Sequence, residues 1–255
     1  MHAIVDNPRL KKALSMTSIL ILALSLLPSS ALAFALETYN GNEILWTIGE
    51  GSHPCGPSSV PGKPPSDPGW NPCYINLAYL SGITSRQGWQ DTAIQAKAQW
   101  TAYDSAYNHY VFVYDDICCQ PQQATMDATD LGGWDPNTGI LFLGNTNFSW
   151  YPGNPNQMAS ADVQISTNAV IAWCTVHDPG CPDSNHMMLE GVMDHELGHG
   201  LGLAHPVQGP NSWAILECQH TNGESTLVQS DDRNGEMYLY SDHASDFGSP
   251  GSSPC

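Results

Sequence analysis

Eleven residues carry the chemistry of this chain. His195, Glu196, Leu197, Gly198, His199, Gly200, Leu201, Gly202, Leu203, Ala204 and His205 spell HExxHxxGxxH. On a helix of 3.6 residues per turn, His195 and His199 leave the same face, where two imidazoles can hold one Zn²⁺ at about 2.0–2.1 Å. Gly202 takes positive φ without steric cost, so the helix can end there and turn back to deliver His205 as a third nitrogen ligand. Glu196 lies about 100° round the helix from His195, placed to reach a water on the fourth position rather than the metal itself. The competing reading is an ordinary buried helix with chance histidines. With 10 histidines in 255 residues, chance writes this pattern in roughly one such chain in ten thousand.

The elements that must position these residues are legible in part. Met187, Leu189, Val192, Met193 and Leu197 form an apolar stripe leading into the motif, and Asp183, Ser184 or Asn185 could cap its start, so a helix is expected from about Asn185 to Leu201. Trp89, Ala93, Ala96, Trp100 and Tyr103 follow the spacing of a second amphipathic helix. Strands are expected at Tyr74 to Leu80, Tyr110 to Tyr114, Ile140 to Leu143 and Ala161 to Ile165, with Ala169 to Trp173 as an extension. Residues 51 to 72 are dense in Gly, Pro and Ser and read as an irregular segment, so the folded core is expected to begin near Cys73. This order suits an α+β fold with a mixed twisted sheet.

The long histidine motif resembles the signature of the metzincin metalloproteases. HELGHGLGLAH is most similar to the matrixins, the matrix-metalloproteinase-like group, while Pro206 after the third His is more like the serralysins. Ala161-Asp162-Val163-Gln164-Ile165 resembles the matrixin edge strand that lines the substrate cleft, and Asp231-Asp232-Arg233-Asn234-Gly235 with Tyr238 and Tyr240 resembles the start of the last helix. The resemblance implies an endopeptidase in which His195, His199 and His205 bind one catalytic zinc and Glu196 is the general base. It implies a metzincin-like fold with a long helix, an active-site helix and a C-terminal helix. One departure stands out. Metzincins place a methionine in a turn under the zinc, and here Leu216 occupies the corresponding stretch, with Met237 as the other candidate. Pro54-Cys55-Gly56 is similar to the matrixin propeptide switch, a minority reading beside a disulfide for Cys55.

Three segments are expected: a signal peptide over 1–33, a Gly/Pro-rich N-terminal segment over 34–72 and a catalytic domain over 73–255. Arg9, Lys11 and Lys12 precede an apolar run from Ile19 to Leu27, and Ala31-Leu32-Ala33 supplies small residues for cleavage. Without that leader the chain holds 4 basic and 24 acidic residues, a formal charge of −20. Such a surface opposes nucleic acid and anionic membrane, and its simplest meaning is solubility. Some carboxylates could instead hold Ca²⁺, with Asp135-Pro136-Asn137-Thr138-Gly139 as a turn or, in a minority reading, a calcium loop. Eight cysteines in an exported chain point to disulfides, with Cys55–Cys73, Cys174–Cys181 and Cys218–Cys255 as one pairing among 105, and Cys118 and Cys119 unplaced. His177, His186, His220 and His243 read as surface or structural, and Asn147-Phe148-Ser149 is a glycosylation sequon if the source is eukaryotic.

The functional expectation is a secreted, monomeric zinc endopeptidase acting on protein or peptide, with no nucleic-acid partner and no membrane partner once the leader is removed. An inactive zinc-stabilised binding or adhesion module is the alternative.

Overall fold

The structure, a computed structural model of the 255-residue chain, describes residues 34–44, 46, 73–104, 109–115, 124–132, 142–151, 154–180, 185–206, 215–216, 227–240, 246 and 248–251. All belong to Leu32–Cys255, the second of two units into which the chain divides. The signal peptide, residues 51–72, the Asp135 turn, His220, His243 and the remaining cysteines other than Cys73 and Cys174 lie outside the described residues. Cys174 is disulfide-bonded.

The chain opens with short strands β1 (Ala35–Leu36), β2 (Thr38–Tyr39) and β3 (Asn42–Glu43). Then come β4 (Cys73–Tyr79), a helical turn α1 (Ser81–Thr84), helix α2 (Trp89–Gln99), β5 (Ala102–Asp104) and β6 (His109–Asp115). Strands β7 (Ala124–Thr129), β8 (Gly144–Tyr151) and β9 (Asn154–Ser166) follow, with the two-residue strands β10 (Trp173–Cys174) and β11 (Met187–Met188). Helix α3 (Leu189–Gly200), β12 (Leu203–Ala204) and helix α4 (Ser230–Tyr240) complete the order.

Six strands form one mixed sheet in the order β5-β6-β4-β7-β9-β8. Strand β4 is parallel to β6 and β7, and β7 is parallel to β9, while β5 and β8 run antiparallel to their neighbours. Parallel pairing of β4 with β6 requires a crossover, and α2 provides it. The period-2 pleat turns Ile75, Leu77, Ala124, Met126, Ala161, Val163 and Ile165 into the core. They meet the buried faces of α2 (Trp89, Ala93, Ala96) and α3 (Leu189, Val192, Met193, Leu197), helices that also pack on each other. A mixed sheet with a few helices agrees with the α+β expectation.

Several expectations change. Helix α3 begins at Leu189 rather than Asn185, because Met187 and Met188 pair in parallel with Trp173 and Cys174, and its N-cap is Met188 with no side-chain cap. Asn185 sits in a turn, and Asp183 and Ser184 lie outside the described residues. Helix α2 stops at Gln99. Trp100 is fully buried there and donates from Nε1 to Asp194 O at 2.8 Å, so Tyr103 joins β5 instead. Of the strand expected at Ile140 to Leu143, Ile140 and Leu141 lie outside the described residues, Phe142 and Leu143 are not in a strand, and β8 begins at Gly144; β7 is an additional strand whose Thr and Asp residues gave it no hydrophobic run. Ala161 to Ile165 is not an edge: β9 lies between β7 and β8, and β8 is the end strand. Finally, the core does not start near Cys73. Phe34, Ala35, Leu36, Ile44 and Trp46 are all buried in it, and β1 pairs antiparallel with β12.

Candidate metal centre

The motif folds as its spacing requires. Residues His195 and His199 lie one turn apart on α3, which ends at Gly200 with Leu201 as its C-cap, and Gly202 adopts φ +94°. Any Cβ on Gly202 would also run into Ile44 O, so glycine is needed both for the turn and for the close approach of the N-terminal segment. The reversed chain brings His205 back against the helix.

The three Nε2 atoms converge. His195 to His205 is 3.0 Å, His199 to His195 is 3.0 Å and His199 to His205 is 3.1 Å. Among the described residues, these three make the one group of three or more His, Cys, Asp or Glu with ligand atoms within 4.8 Å of one another. Tetrahedral ligands at 2.0–2.1 Å from an ion stand about 3.3 Å apart, within a few tenths of an ångström of what is observed.

Hydrogen bonding on the far side of the rings supplies a second argument. His195 Nδ1 lies 2.9 Å from Ile215 O, and His199 Nδ1 lies 2.8 Å from Leu203 O. A carbonyl only accepts, so both Nδ1 atoms carry the proton, and in the neutral rings both Nε2 atoms carry lone pairs. Two lone pairs 3.0 Å apart repel unless a cation lies between them. The donor set therefore fits a divalent ion, and His195, His199 and His205 could hold one.

Glu196 is buried beside this triad. Its Oε2 accepts a 2.7 Å hydrogen bond from the Thr146 hydroxyl of β8, which also donates to Glu196 O at 2.9 Å. Burial pushes the carboxyl up to about 7, and the Thr146 hydrogen bond opposes that rise. Gly144 makes room: a Cβ there would come within 2.5 Å of the Glu196 side chain. Neither Thr146 nor Gly144 stood out in the sequence, because strand residues facing a distant helix leave no local signature.

Beneath the histidines, Ile215 and Leu216 form a buried turn. Leu216 Cδ2 lies 3.0 Å from the position of a Cβ on Gly198, so Leu216 packs against the metal helix, whereas Met237 is buried on α4. The Asp232 carboxylate ties down the turn by accepting from Ile215 N at 2.8 Å, Leu216 N at 3.4 Å and Gln229 N at 2.8 Å. Burial raises Asp232 to about 6, against the pull of those three N–H groups. Further buried carboxylates surround it. Asp194 is pushed well above the usual range by burial, with Glu190 and Asp232 adding to the rise, and Gln99 Nε2 donates to both Asp194 and Glu190 at 2.9 Å. Glu236 is raised to about 8 by burial, although Arg233 Nη1 lies 3.1 Å from its Oε2.

The carbonyls at the end of α3 find partners far away in sequence. Gly200 O accepts from Trp46 Nε1 at 2.9 Å, Leu201 O from Tyr240 Oη at 2.5 Å, and Gly202 O from Glu37 N at 2.8 Å. Of the histidines read as non-ligands, His177 is exposed with Nε2 2.7 Å from Asp91 Oδ2, and His186 is half-buried. Comparison of the sequence with models of protein families and with curated proteins gives no match.

Proposed function

We propose that the protein is a secreted zinc endopeptidase of the metzincin type, matrixin-like in its motif, with one Zn²⁺ on His195, His199 and His205 and with Glu196 as general base. The observation that carries the reading is the convergence of three Nε2 atoms within 3.0–3.1 Å, two of them with Nδ1 protons already committed to carbonyls. Three neutral nitrogen donors suit zinc, which supplies Lewis acidity and lowers the pKa of a water towards about 7.

The chain's own residues do the rest. The Glu196 carboxylate takes the proton of the water attacking a peptide carbonyl and returns it to the departing nitrogen. Thr146, donating to Oε2, fixes the rotation of that carboxylate and favours its ionised form. An adjacent cation favours it further. Among the described residues β8 is the end strand of the sheet, and an extended substrate would pair along its outer side. Cleavage-edge duty thus passes from Ala161–Ile165 to Gly144–Tyr151.

Hydrolysis of casein or gelatin, measured with chelator and after zinc is restored, tests this. Glu196→Ala is expected to keep one equivalent of zinc and lose about 10²–10⁴-fold in turnover. Wild-type rates in that variant would refute the assignment. A zinc-loaded wild type inert on many polypeptides would favour the binding-module alternative.

A further inference from the structure

Residues 34–72 read as a Gly/Pro-rich segment ahead of the core, yet its described residues Glu37, Ile44 and Trp46 contact the end of α3 and the turn after it. Glu37 is held in that segment from both sides of its backbone: its N–H donates to Gly202 O at 2.8 Å, and its carbonyl accepts from Ile44 N at 2.9 Å. The clamp fixes Glu37 against the turn that delivers the third ligand. Its side chain then lies beside the outer edge of the His199 ring, with Oε1 3.8 Å from His199 Nδ1 and about one-third of the side chain exposed.

We propose that Glu37 is an outer carboxylate of the metal centre, a positioning residue that holds the His199 imidazole and strengthens its grip on the ion; this rests on the three-histidine reading above. At 3.8 Å the contact is too long for a hydrogen bond, and the Nδ1 proton already goes to Leu203 O at 2.8 Å. The carboxylate therefore acts through its charge. An imidazole that donates electron density to a cation becomes more positive at Nδ1–H, and a negative group beside that edge favours the bound state. Partial burial leaves that charge incompletely screened. The duller role is a strand residue whose carboxylate merely faces solvent.

Zinc affinity of the full chain, measured by competition with a chromogenic chelator, separates the two. Glu37→Gln keeps the shape and removes the charge, and it is expected to weaken zinc binding about tenfold or more. Glu37→Asp, with the charge drawn back by one methylene, is expected to fall between Glu37→Gln and wild type. The visible bands of the Co²⁺ form should keep the same position and intensity in wild type and Glu37→Gln, since the three nitrogen donors are untouched. Equal zinc affinity in wild type and Glu37→Gln would overturn the role, and so would Co²⁺ bands altered by the substitution. A wild type that binds no stoichiometric ion would instead sink the three-histidine reading itself.

Discussion

Two groups of polar side chains meet at α3, and they resolve crowding differently. His195, His199 and His205 present nitrogens 3.0–3.1 Å apart, with the Nδ1 protons of His195 and His199 donated away from the centre. Asp194, Asp231, Asp232 and Glu236 present buried carboxylates pushed upward in pKa by desolvation, with Gln99 donating to Asp194, Arg233 to Glu236 and backbone N–H groups to Asp232. Carboxylates crowded in a dry interior can relieve repulsion by taking up a proton. Imidazoles oriented this way are better relieved by sharing a cation. The first group could hold an ion, and the second is joined to it: Asp232 accepts from Ile215 N, and Ile215 O accepts from His195 Nδ1.

His205→Ala tests the contrast most severely. Removing one of three donors is expected to abolish stoichiometric zinc binding and reduce hydrolysis to background, read by metal analysis and a casein assay. One tightly held equivalent of zinc in that variant would show that the triad is not the site.

Asp232→Ala attacks the supporting group. It strands three backbone N–H groups, each costing about 1–3 kcal/mol when buried, so a loss of about 3 kcal/mol or more is expected in denaturant unfolding. Zinc affinity should fall as well, because His195 loses its fixed acceptor. Asp232→Asn retains an acceptor oxygen and should cost less. If Asp232→Ala lowers stability but leaves zinc affinity unchanged, the two groups are not linked.

Thr146→Val removes the hydroxyl that steadies Glu196 while keeping the strand-compatible shape. We expect kcat to fall about tenfold with KM little changed, the signature of an interaction that matters in the transition state. An unchanged kcat would remove Thr146 from the machinery.

The smallest effect is on pH dependence. Glu236 and Asp232, raised to about 8 and about 6, hold protons more tightly in the folded chain than in the unfolded one. Their contribution to stability is fully present below the unfolded carboxylate range and is lost as pH rises through about 6 and then about 8. Glu236→Gln should therefore make the fall in Tm between about pH 5 and about pH 8 shallower than in wild type. A parallel fall in both proteins would show that Glu236 titrates alike in the folded and unfolded chains.

Periodicity made much of the frame legible. The apolar stripe from Leu189 to Leu197, the stripe of Trp89 to Trp100 and the alternation around Ile75 and Val163 each bury the faces they suggested. It failed where pairing rather than pattern decides. Strand β7 reads Ala-Thr-Met-Asp-Ala-Thr, unremarkable until β4 and β9 hydrogen-bond to both its edges. Met187 and Met188 look helical and are strand, because Trp173 and Cys174 pair with them. Phe34 to Trp46 read as part of the Gly/Pro-rich segment 34–72, although described residues in it find partners at Gly200 to Ala204 and Tyr240.

The sequence by itself determined the donor triad. Two histidines four apart and a glycine before the third are local facts, governed by helical pitch and by the freedom of a residue without Cβ. Only the tertiary structure decided how those donors are used. The acceptor that orients His195, the hydroxyl beside Glu196, the carboxylate beside His199 and the place of β8 at the end of the described sheet all depend on segments brought together by folding. Several of these contacts cross tens to more than a hundred residues of chain, and hydrogen bonds over such separations are set by packing of the whole core rather than by any local pattern.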